Sequence, residues 1–201
     1  MDMLAALHAY LSTQVTAVLK VDELLRSEWV ARVAALDLYV HEVVAQRMLK
    51  IQSGDLPPTP KYLNFRVSME TQARMVAGAG SAAALGAFDL AVREQLGFQS
   101  FQSPDKISDA LKLCSQVDLW SEVATHLQTT KGDPSITSKS LRNTLSAIAS
   151  RRHKIAHEAD LQPTTPREPW PISVSDLELV RGFIGSIVPA IDEVITQNDF
   201  T

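Results

Sequence analysis

The chain has 201 residues, 45% of them hydrophobic and 21% charged, with a net charge of −4, enough apolar material for one buried core in a single domain over residues 1–201. That balance excludes a disordered polyelectrolyte, and it excludes a basic protein that coats nucleic acid by bulk attraction, so any nucleic-acid contact has to be local. The single cysteine, Cys114, excludes an internal disulfide framework or a zinc site with two or more thiolates and reads as a small buried apolar residue.

Met1 to Lys20 carries Asp2 and His8 where a leader needs a basic start and a solid apolar run, and no stretch reaches the roughly 18 apolar residues of a membrane span. The expected address is the cytoplasm, with no membrane contact. Trp29, Val33, Leu36, Val40, Val44, Met48 and Ile51 then follow at intervals of three or four, which predicts a long helix from about Asp22 to Ser53 with one buried stripe. Pro57, Pro58 and Pro60 form a first connector, because proline lacks the backbone donor and clashes with the preceding turn. Tyr62 to Val67 is the one place for a short extended piece. Gly78 and Gly80 read as a helix break: no strand precedes them and no Gly-Lys-Ser/Thr follows. Helices are predicted from Ser81 to Leu96, from Pro104 to Leu113 with Ser103 as cap, and around Val117 to Leu127.

A third stripe, Leu141, Leu145, Ile148, Ile155 and Ala159, precedes a second connector with Pro163, Pro166, Pro169 and Pro171. Trp170, between two of these prolines, is either an aromatic plug that pins the connector or a surface on which a base stacks. Leu177, Val180, Ile184, Ile187, Ile191 and Val194 mark a last helix, opened by a capping box of Ser175 and Glu178 and kinked at Pro189. The predicted fold is all-α, a helical bundle with two proline-rich connectors.

Within the third stripe, position 152 lies four after Ile148 and three before Ile155, yet it is an arginine. A guanidinium on an apolar face is paired, at an interface, or lining a site, because burying it alone is costly. His157 follows five residues later. The spacing alone is weak, but the surroundings sharpen it: His153 directly after the arginine, Ile155 and Ala156 before the histidine, and Glu158 after it. Arg151-Arg152-His153-Lys154-Ile155-Ala156-His157-Glu158-Ala159-Asp160 resembles the active-site motif of the HEPN family, most of all the branch associated with RiboL-PSP proteins. Ala35 to His41 and Phe101 to Ile107 are weaker echoes of that branch.

The resemblance implies a HEPN-type bundle that dimerises so that two motifs face one cleft, acting as a metal-independent endoribonuclease with no cofactor. Matched residue by residue, Arg152 and His157 take the catalytic positions and His153 an assisting one, where the family usually has asparagine or aspartate. Arg151, Lys154 and Glu158 flank them as substrate-contacting candidates. RNA is the implied substrate and a second copy the implied partner, with an antitoxin or another defence-system component as a further partner. The rival reading is a non-catalytic dimeric scaffold, which the acidic net charge favours. A third is a helical partner protein with a chance motif, for which Arg152 belongs in a salt bridge inside one protomer.

The chemistry fits the residue types. Histidine, with an ordinary pKa of about 6.5, can take or give a proton near neutrality, and a planar guanidinium grips two phosphate oxygens at once. On an ideal helix, however, five positions separate Arg152 from His157 by about 140°. Either the helix deforms, or the arginine wraps round, or the arginine of one protomer serves the histidine of the other, and the last fits a dimeric site best. Elsewhere, Asp37 and His41 are either an oriented imidazole pair or a helix-surface hydrogen bond. His8 and His126 have no neighbours that suggest metal ligation, and Lys50, Lys61 and Arg66 are either a phosphate-tracking edge or scattered surface charges.

Overall fold

The computed structural model describes residues 2–14, 20–78 and 81–199. Its longest element is α2, Asp22–Ser53, and all seven residues of the predicted stripe from Trp29 to Ile51 are buried. Each such side chain contributes about 1.5–3 kcal/mol relative to exposure. The helix stops at Gly54, whose φ of 88° is a left-handed conformation that favours glycine.

Eight further helices are found among the described residues: α1 (Asp2–Gln14), α3 (Pro60–Leu63), α4 (Met69–Ala77), α5 (Ala82–Leu96), α6 (Pro104–Leu111), α7 (Leu119–Lys131), α8 (Ser138–Glu158) and α9 (Val174–Gln197). There is no strand among them, only an isolated antiparallel bridge between Leu161 and Pro169, so the fold is all-α. No described helix is long and apolar enough to cross a membrane. α2 is the hub, packed against α1, α5, α6, α8 and α9, while α7 packs on α8 and α9.

The core has two parts. The larger gathers the C-terminal half of α2, from Leu36 on, with Phe88, Val92, Leu111, Trp120, Leu145 and Ile191. The smaller holds Leu25, Trp29 and Val33 against Ile148, Ile172, Leu177 and Val180, and it is this part that seats the motif end of α8. Cys114 is 4% exposed, and burial pushes its thiol up to about 12, in keeping with a packing residue.

Several boundaries differ from the sequence expectation. The segment near Tyr62 is not extended: Thr59 accepts from the Tyr62 backbone N–H at 3.0 Å and Pro60 occupies the first turn, so the short helix α3 forms instead. α9 opens two residues early, on a box of Ser173 and Asp176, which has the same serine-to-acid spacing as Ser175 and Glu178. Pro189 lies within α9. The third stripe ends at Ile155, because Ala159 has already left the helix with a φ of 53°. α1 and α4 have no buried residue, and hence no stripe by which periodicity reveals a helix. Gly78 does close α4, whereas Gly80 lies outside the described residues.

Asp160 is 1% exposed and faces Arg26, itself 5% exposed. Replacing it with alanine leaves the buried Arg26 with only the exposed Glu23 carboxylate, 3.1 Å from its Nη1, and Arg151 with no ion pair, so Asp160→Ala should destabilise by about 3 kcal/mol in chemical denaturation. At the left-handed Ala159, glycine relieves a Cβ penalty of about 1 kcal/mol. Ala159→Gly should therefore raise Tm by about 2–4 °C in thermal circular dichroism.

Candidate active site

α8 begins on a capping box in which the Thr137 and Ser140 side chains each accept the other's backbone N–H. Leu141, Leu145 and Ile148 face inward and are buried. One turn before the motif, the Trp29 indole N–H donates to the Ile148 carbonyl at 3.1 Å, fixing α8 against α2. The two arginines that follow then part company.

Arg151 turns inward. Its Cζ lies 5.1 Å from the centroid of the Trp29 ring, a cation–π distance. Its Nη2 donates to Asp160 Oδ2 at 3.2 Å and to the Pro171 carbonyl at 2.7 Å. Arg26 approaches the same carboxylate from α2, with Nε 3.3 Å from Oδ2, and donates through Nη2 to the Trp170 carbonyl at 2.6 Å. Asp160 completes the knot through its backbone: its N–H donates to the Lys154 carbonyl at 3.1 Å and its carbonyl accepts from the Trp170 N–H at 2.7 Å. The guanidinium of Arg151 is thus engaged in holding the helix end.

Arg152 is half-buried and forms no ion pair among the described residues. Its Nε, like that of Arg151, is buried without an acceptor, and no other atom of the Arg152 guanidinium finds a partner among the described residues. His153 and His157 lie on the open side of the helix, their ring centroids 4.7 Å apart at a tilt of 45°, and both are exposed. Glu158 Oε1 stands 3.9 Å from His153 Nε2. Lys154 is exposed and makes no ion pair among the described residues. With Ser150, Arg151, Asp160, Trp170 and Pro171 it lines a cavity of about 340 Å³.

The structure therefore brings His153, His157 and Glu158 together, directs Arg151 inward, and leaves Arg152 and Lys154 without counter-charges among the described residues. Sequence reasoning missed Arg26 and Trp29 as supports of this end. They reach it across 134 and 119 residues, so no local pattern announces them. Among the described residues no three His, Cys, Asp or Glu side chains gather as a metal site.

The other candidates resolve into packing roles. Asp37 accepts from the Phe101 backbone N–H at 2.5 Å and from Gln102 Nε2 at 3.1 Å, while His41 Nε2 is 3.7 Å from its carboxylate and the ring stacks on Phe101 at 4.4 Å. The two weaker motif echoes are thus in contact, as parts of one helix-to-loop joint. His8 contacts Asp22 at 3.0 Å. Lys61 and Arg66 share a groove with Lys106 and Asp109, and Lys61 donates to the Asp109 carbonyl at 2.5 Å.

No curated protein and no solved structure matches the chain. The family model described as RiboL-PSP-HEPN matches residues 4–197, which takes in α8, the inward knot at Asp160 and the whole of the packing around α2. An all-helical bundle carrying Arg152 and His157 at the exposed end of one helix, matched over nearly its full length, places the chain in the RiboL-PSP-HEPN family.

Proposed function

We propose that the protein is an endoribonuclease that cleaves RNA without a metal ion, at a cleft formed by the α8 ends of two copies. The observation that carries this reading is the divergence of adjacent arginines. Both arginines bury an Nε that has no acceptor, but Arg151 also has Asp160, Pro171 and Trp29 as partners, whereas Arg152 forms no ion pair or side-chain hydrogen bond among the described residues. A chance motif inside a packing helix calls for the reverse, an Arg152 satisfied within its own protomer. A guanidinium without a partner in its own protomer, on the helix that also carries two exposed imidazoles, suits a phosphodiester bound between two copies.

In the proposed reaction, one imidazole accepts the 2′-hydroxyl proton while the 2′-oxygen attacks phosphorus. The bond to the 5′-oxygen breaks as a second imidazole delivers a proton to it, leaving a 2′,3′-cyclic phosphate and a free 5′-hydroxyl. His153 and His157 at 4.7 Å supply both imidazoles, with His157 as the principal proton carrier, and Arg152 steadies the charge on the phosphoryl oxygens. Since Arg152 and His157 lie about 140° apart on one helix, the arginine of one protomer serves the histidine of the other. The family resemblance extends this reading to a cytoplasmic growth-arresting or phage-defence role, with an antitoxin or another defence component as a controlling partner.

Purified protein incubated with a structured RNA should yield cyclic-phosphate ends, and in excess chelator the yield should persist, because the proton transfers and charge stabilisation fall on histidine and arginine. Arg152→Ala and His157→Ala should each lower the rate by at least about 10²-fold, the scale of a positioned acid, base or charge-stabilising donor, with unchanged melting curves. Lys139→Ala, at the far end of α8, is the control. A His157→Ala protein as fast as wild type overturns the site, and a wild type that cuts no RNA leaves the dimeric scaffold reading in its place. Light scattering should show a dimer. Mixing the two inactive variants should restore part of the activity, because the shared cleft of each heterodimer then holds an intact Arg152 from one protomer facing an intact His157 from the other; no restoration argues that the pair acts within one protomer.

A further inference from the structure

The chain has three tryptophans, and two of them are accounted for by packing. Trp29 is 6% exposed and Trp120 1%, and their indole N–H groups donate to the Ile148 and Pro104 carbonyls. Trp170 differs on both counts: it is 43% exposed, and its indole N–H makes no hydrogen bond among the described residues. Its backbone, by contrast, is tightly held. The Trp170 N–H donates to Asp160, its carbonyl accepts from Arg26, and the flanking Pro169 and Pro171 carbonyls accept from Gln162 and Arg151. A plug needs a buried ring. Here an open ring is carried on a fixed backbone between two prolines, which lowers the ordering cost of stacking a flat ligand on it.

The cavity beside this ring, about 340 Å³, is also lined by Ser150 and Lys154 of α8. At about 100° per residue, Ser150, Lys154 and His157 fall within roughly 60° of arc on one helix face. The cavity therefore opens on the same side of α8 as His157, with an uncompensated ammonium at its rim.

We propose that this cavity is a subsite for an unpaired nucleotide next to the cleaved phosphate, with Trp170 stacking on the base and Lys154 contacting a backbone phosphate. This rests on the ribonuclease reading above and adds to it that the substrate is single-stranded at the cut. A base buried in a duplex cannot present its face to the ring, whereas any unpaired base can, so the site selects for strandedness more than for sequence.

Binding of a labelled single-stranded RNA, followed by fluorescence anisotropy in a His157→Ala background, separates this subsite from catalysis. Trp170→Ala should bind at least about fivefold more weakly, the lower end for loss of one stacked base, while Trp170→Phe keeps most of the affinity. One abasic nucleotide placed in turn along the RNA should weaken binding to Trp170-containing protein at one position and have no effect there on Trp170→Ala. Lys154→Ala should lower the slope of log affinity against log salt by about one. Affinity for duplex RNA equal to that for the single strand, or indifference to the abasic nucleotide at every position, overturns the subsite without any Trp170 variant having to fold. So does Trp170→Ala protein that melts like wild type and binds as tightly. If Trp170→Ala turns a dimer into a monomer in the absence of RNA, the ring is an interface residue and the proposal fails. A wild type that cuts RNA alongside an equally active Trp170→Ala defeats only the subsite, whereas a wild type that neither binds nor cuts RNA defeats the ribonuclease reading itself.

Discussion

A carboxylate with 1% of its surface exposed, gripped by two guanidiniums, governs the end of the molecule that carries the family motif. Asp160 receives Arg26 from α2 and Arg151 from α8, and its backbone binds α8 on one side and Trp170 on the other. Removing these charges from water costs several kcal/mol per ion. What that cost obtains is a junction that ties α2, through Arg26 134 residues before Asp160, to the end of α8 and the connector that follows it. Asp160, at a φ of 52°, also ends α8: the helix cannot continue, and the proline-rich connector is turned back across it.

Everything exposed at this end depends on that junction. Because Arg151 is drawn inward to Asp160 and Trp29, the angular spacing of the helix sets His153 and His157 on the open side and puts Lys154 over the connector. Because the Trp170 and Pro171 carbonyls are bound by Arg26 and Arg151, the indole between them is presented from a rigid base. The overall charge of −4 opposes bulk attraction to a polyanion. Arg152 and Lys154, which form no ion pair among the described residues, are the cations at this end through which the proposed local contact with RNA would be made.

The remainder of the bundle supplies the lever arm. α2 carries both core clusters along one continuous stripe, so the joint at Asp37 and the knot at Arg26 are held in fixed relation by a single helix. Asp37 secures the Phe101–Gln102 segment, and α1 is tied on through Asp2, which contacts Arg32 and Arg181, and through Glu28, which accepts from the Ala5 N–H at 2.9 Å. The two guanidiniums hold the Asp2 carboxyl below the usual carboxylate range.

The sequence by itself determined the helices that bury a stripe. Residues at intervals of three and four specified α2 almost to the residue, and α8 and α9 nearly so, since a helix packed on one face must repeat its apolar positions with its own period. It also determined the motif and the family, because the residue types of Arg152 to Glu158 are readable without coordinates. Periodicity could not find α1 or α4, which bury nothing, nor choose between Ser173 and Ser175 as the cap of α9, since both are followed by an acid at the same distance. It placed Arg152 on the apolar face, four residues after Ile148, and could not foresee that Arg151, three residues after Ile148, is the one that finds a buried counter-charge. Only the tertiary structure decided that, by bringing Arg26, Trp29 and Asp160 to one point from opposite ends of the chain. A buried charge goes where its counter-charge is, and that location is set by packing and not by local sequence.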